Sequence, residues 1–117
     1  MATSETHSPY MTTVAVGVAP AVNLATLLAL VYSSINSSTK ARFVSLQMAS
    51  GGGAAHLFVG NGPSSGSPVS TTNCGVDLVA LQAAWTMSMQ SNLIALGDIW
   101  LVSDTAGQKV NCTVEVG

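Results

Sequence analysis

Asp98-Ile99-Trp100-Leu101-Val102, Ser103-Asp104-Thr105-Ala106-Gly107 and Lys109-Val110-Asn111-Cys112-Thr113-Val114-Glu115-Val116 are the stretch on which the fold reading turns. The first segment carries β-branched and aromatic residues without Gly or Pro. The last alternates: Val110, Cys112, Val114 and Val116 fall on one face, Lys109, Asn111, Thr113 and Glu115 on the other. Period-two alternation marks a half-buried strand, and the turn formers between the two runs predict that they pair as a hairpin. A strand with one apolar face must bury it against a second layer, which the rest of the chain has to supply.

Upstream segments supply it. Thr12 to Ala19 alternates, with Val14, Val16 and Val18 on one face; Gly17 suggests an edge strand, and Pro20 ends it. Lys40 to Met48 reads as a strand with Ala41, Phe43 and Ser45 opposed to Arg42, Val44, Leu46 and Met48. Ala49 to Gly53 is a glycine-rich turn, and Ala54 to Val59 is the expected return strand. Val76 to Leu81 and Trp85 to Met89 continue the series, with Trp85, Met87 and Met89 inward. Both Trp85 and Trp100 are expected to be mostly buried. In Asn23 to Ser33, Leu24, Leu27, Leu28 and Val31 recur at helical spacing behind a plausible N-cap, Asn23. The whole reads as all-β: a small β-sandwich or barrel of about seven strands with one short α-helix over one end and an extended N-terminal arm. Residues 1–11 form the arm, and residues 12–117 a single domain.

No charge occurs between Glu5 and Lys40, so that region must be tested as a membrane span. Pro20 and Asn23 interrupt it, and a helix of about eleven residues is too short for a hydrocarbon core about 30 Å thick. A buried helix is expected, with no membrane partner; small filamentous-phage coat proteins, the comparison class, lack the strands that follow here. The polar start of the chain has no basic region ahead of an apolar segment, so no signal peptide is expected.

Only 7% of the 117 residues are charged, against about 25% in an average soluble domain. Ser, Thr, Asn and Gly fill the surface instead, which suits a surface covered by copies of the protein or by a partner. A formal charge of −2 with no basic patch argues against nucleic acid. Cys74 and Cys112 are too few for a disulfide framework. Cys112 lies on its strand's apolar face as a small hydrophobe, and free thiols imply synthesis in a reducing compartment.

Motifs that resemble chemistry lack their contexts. Gly62-Pro63-Ser64-Ser65-Gly66 has the form of an esterase elbow, but Ser67-Pro68 starts a helix poorly and no histidine follows His56. Gly60-Asn61-Gly62 lacks the third glycine and the βαβ unit of a dinucleotide loop. His7, His56, Cys74 and Cys112 lack short ligand spacing, so no metal is expected. Nothing in the sequence pairs Asp77 or Asp98 with a second acid/base group. Asn36-Ser37-Ser38 and Asn111-Cys112-Thr113 have the form of glycosylation acceptors, which matters only in a secreted eukaryotic protein. No catalytic residue, cofactor or enzymatic activity is expected.

Val22-Asn23-Leu24, Leu27-Leu28, Lys40 to Gln47, Phe58-Val59-Gly60, Thr71 to Gly75, Asp98 to Ser103 and Ala106 to Asn111 together resemble small structural proteins of tailed bacteriophages. The resemblance implies a virion protein of the head decoration, or cement, type. Its partner would be the major capsid protein lattice and its place the capsid surface, after synthesis in the bacterial cytoplasm; the alternative is a tail, neck or fibre component. A homo-oligomer, dimer or trimer, is expected from the low charge and free strand edges. The polar arm and the 60–72 loop are the expected partner-binding elements, with Tyr10, Met11, Asn61, Ser64 and Ser65 as contact residues.

Overall fold

A computed structural model of the protein describes residues 9–49, 56–79, 84–88 and 93–116. Two antiparallel sheets pack face to face. The strands are β1 (Pro9–Val16), β2 (Val22–Asn23), β3 (Lys40–Met48), β4 (His56–Gly60), β5 (Val76–Val79), β6 (Trp85–Ser88), β7 (Ile94–Ala95), β8 (Trp100–Ser103) and β9 (Gln108–Val116), with helix α1 (Leu24–Ala29) after β2. One sheet has the order β1-β9-β3-β6, with β7 also on β3; the other has the order β2-β8-β4-β5. The expected all-β sandwich with one short helix is the fold found.

The closing strands do not form a hairpin. β8 lies between β2 and β4 in one sheet, β9 between β1 and β3 in the other, and residues 104–107 arch from layer to layer. Strand length explains this. β8 has four residues and β9 nine, so a hairpin would leave more than half of β9 unpaired. β1 and β3 match β9 along nearly its whole length, from Val16↔Gln108 to Pro9↔Glu115 and from Met48↔Val110 to Ala41↔Val116. β3 and β4 likewise part into different sheets, so β4 is not the return strand of a hairpin with β3; residues 50–55 lie outside the described residues.

The alternation in β3 breaks once. Ala41 pairs with Val116 and Phe43 with Glu115, leaving Arg42 as a bulge. The extra residue shifts the parity, so Ala41 points inward together with Val44, Leu46 and Met48. A strict alternation places Ala41 on the wrong face.

The core is aliphatic. Leu24, Leu28, Leu46, Leu57, Leu96 and Leu101 are fully buried, each contributing about 1.5–3 kcal/mol from burial. Asn23 caps α1, its Oδ1 accepting from the Thr26 N–H at 2.8 Å. The helix is six residues rather than the expected 23–33; the N–H groups of Val31 and Tyr32 bond back to the Leu28 carbonyl and close the turn. Among the described residues no helix is long and apolar enough to cross a membrane.

Candidate interaction surface

The outward edge of β1 is the first candidate surface. β1 starts at Pro9, so Tyr10 and Met11 are strand residues opposite Val114 and Thr113, and the arm boundary at residue 11 is corrected. Residues 1–8 lie outside the described residues. The Tyr10 ring packs edge-on against Tyr32, centroids 4.7 Å apart. The Tyr32 hydroxyl donates to the Met11 carbonyl at 2.9 Å. These contacts draw the turn after α1 against β1, and that turn carries Leu30 and Val31. Met11, Leu30 and Val31 are 65%, 82% and 53% exposed. Neither β1 nor any residue onward to Thr39 carries a charge.

Asn61, Ser64 and Ser65 lie elsewhere, on the segment that folds over the other sheet. This segment is anchored to its own domain. Val69 is buried in a second small cluster with Phe58 and Val102, against which Ala21 and Trp100 pack. The segment is tied down by Val69 N–H to the Asn61 carbonyl and Gly75 N–H to the Val59 carbonyl, both 2.8 Å, and by Asn73 Nδ2 to the Pro68 carbonyl, also 2.8 Å. Gly62 rests on the Trp100 indole so closely that an added Cβ would collide with it. Asn61 and Ser64 are exposed, and Ser65 is half-buried. Ser65 N–H bonds to the Gly62 carbonyl in a turn, so the Gly-x-Ser-x-Gly match is no strand-to-helix elbow. A cavity of about 230 Å³ lies under this loop, lined by Asn61, Ser67, Asn73, the exposed Cys74 and neighbouring backbone.

The two tryptophans are half-buried rather than mostly buried. Trp85, on the last strand of its sheet, packs against the main core. Trp100 faces the opposite way from Leu101, into the cluster under the 60–75 segment. Because β8 is covered on both faces, it has no polar side, which alternation alone does not reveal.

A polar constellation joins β4, β5 and the arch after β8. His56 Nδ1 lies 2.7 Å from Asp77 Oδ1, a pairing the sequence did not disclose. The His56 N–H donates to Asp104 Oδ1 at 2.9 Å. The His56 ring stacks on Phe58 at 5.9 Å with its plane 8° from parallel. The hydrogen bond to Asp77 raises the His56 pKa above its usual value, and the charges of Asp77 and Asp104 add to this. The His56 backbone N–H holds the Asp104 carboxyl below the usual range, helped by the Thr105 hydroxyl. The nearby Ser103 hydroxyl is fully buried and donates to the His56 carbonyl at 2.9 Å, so it is committed to the arch rather than to the imidazole. Among the described residues no three His, Cys, Asp or Glu side chains cluster to hold a metal.

The structure therefore separates the expected contact residues. Tyr10 and Met11 lie on the outer strand of one sheet; Asn61, Ser64 and Ser65 lie on the segment over the other. Leu30 and Val31 are the surface residues that sequence reading missed. Helical spacing places Val31 in the buried stripe of a longer helix, and the early end of α1 leaves it exposed. No protein-family model, curated protein or solved structure matches the chain.

Proposed function

We propose that this protein is a non-enzymatic virion structural protein of the bacteriophage head decoration type, which binds and stabilises the major capsid protein lattice as a homo-oligomer. The observation that carries the reading is the uncharged rim formed by β1 and the turn after α1, with Met11, Leu30 and Val31 exposed on a sandwich only 7% charged. Exposed large apolar side chains on a chain with few charges mark a surface that functions covered. Attachment through main-chain edges and apolar groups depends weakly on salt, and a repeated lattice offsets weak single contacts through their number. The exposed segment at Asn61, Ser64 and Ser65 offers a second, polar contact on the other layer.

The test is the protein content of virions whose genome encodes the chain. The expected result is a copy number near that of the major capsid protein, with its density on the outer capsid surface by cryo-electron microscopy. A few copies with density on the tail, neck or fibre assign it there instead. Absence from the particles overturns the virion reading.

A further inference from the structure

We propose that two copies of this protein pair through the outward edges of their β1 strands, antiparallel across a two-fold axis at Val14, to join their sheets into one. The inference names the surface for the self-association part of the proposed function and does not depend on the capsid.

Among the described residues the edge is open in its middle and closed at both ends. The Met11 carbonyl accepts from Tyr32, so it points away from β9. In an antiparallel ladder alternate residues turn both main-chain groups to the same side. Thr13 and Ala15 therefore turn their N–H and C=O outward with Met11, and among the described residues no strand pairs on that side of β1. Pro9, with no N–H to donate, falls on the same outward parity, and Tyr32 covers the Met11 carbonyl. At the far end the Gly17 carbonyl accepts from the Ser103 N–H at 3.0 Å. What remains is a window at Thr13 and Ala15 with two donors and two acceptors. Placed across a two-fold axis at Val14, Thr13 faces Ala15 of the second copy and Ala15 faces its Thr13, which makes about four main-chain hydrogen bonds.

Between its two closed ends, at Thr13 to Ala15, the edge carries none of the usual defences against such pairing. Natural edge strands present Lys, an inward charge or a bulge. β1 pairs with β9 without a register shift along its length, and no charge lies between Glu5 and Lys40. Met11, two residues from the window on β1, and Leu30 and Val31, on the turn that Tyr32 draws against β1, are exposed apolar groups to be covered. A second copy is the occupant because the window is self-complementary under the two-fold axis. Another partner would need a free edge of matching length, whereas each copy of this chain brings one.

Sedimentation of the full chain at micromolar concentration tests this, with Ala15→Pro and Leu30→Lys as variants. The expected wild-type species has about twice the 11.8 kDa chain mass. Ala15→Pro removes an outward N–H that β9 does not use, so thermal unfolding of the monomer should persist while the dimer dissociation constant rises at least tenfold. Leu30→Lys should weaken the dimer as well, and it decides the matter if the proline variant does not fold. A monomeric wild type overturns self-association itself. A dimer that survives unchanged in Leu30→Lys and in folded Ala15→Pro overturns this interface and leaves self-association standing.

Discussion

His56 and Asp77 meet across β4 and β5 at 2.7 Å although neither is directly opposite the other: His56 pairs with Val79 and Asp77 with Phe58. The pair is diagonal on the outward face, where side chains two residues apart on neighbouring strands remain within reach. Because the folded-state pKa of His56 lies above its unfolded value, its contribution to stability is fully present below the unfolded value near 6.5 and is lost as pH rises through the folded value. The His56 imidazole, followed by NMR, should titrate above 6.5, and Asp77→Asn should move the titration downward. A titration unchanged by Asp77→Asn would show that the pair does not form in solution.

Asp104 has the opposite sign. Its lowered pKa means that its contribution is present above the unfolded value of 3.8 and is lost as pH falls through the folded one. Since its carboxylate holds the His56 N–H, Asp104→Ala should loosen the arch at residues 104–107 and speed amide exchange at His56. An unchanged exchange rate would mean that the carboxylate does not hold that amide.

Asn23→Ala removes the acceptor for the Thr26 N–H. Loss of such an N-cap costs about 1 kcal/mol. Chemical denaturation should show that loss with an unchanged denaturant slope; Asn23→Asp, which keeps an acceptor, should restore most of it.

Gly62→Ala places a methyl group against the Trp100 indole. Overpacking of this kind costs about 1–3 kcal/mol. The tryptophan emission should shift to the red as the 60–75 segment lifts from the Phe58–Val102 cluster. Trp100→Ala, at a half-buried site, should cost about 2–3 kcal/mol, below the full core range. Unaltered emission in Gly62→Ala would show that the segment does not sit on the indole.

The two cysteines should differ in reactivity. Cys74 is exposed, whereas Cys112 is buried and burial pushes its thiol up to about 12. A thiol reagent should modify Cys74 in the native protein and reach Cys112 only after unfolding. Equal rates in the folded state would contradict the placement of Cys112 in the core.

Local pattern determined which residues face inward. Val110, Cys112 and Val114 are buried as their alternation requires, and Asn23 caps the helix as its position before the Leu24–Leu28 stripe implies. Strand segments, the all-β class and the low surface charge were legible for the same reason: each depends on neighbours along the chain. Tertiary structure decided who pairs with whom. Alternation assigns a face but carries no information about the partner on either edge, so β8 and β9 read as a hairpin until β1 and β3 offered β9 longer ladders. Likewise the His56–Asp77 contact, the bulge at Arg42 and the seating of Gly62 on Trp100 join residues whose meeting depends on strand register. Register is set by the packing of the two sheets as a whole, which is why those contacts could not be read from any one segment.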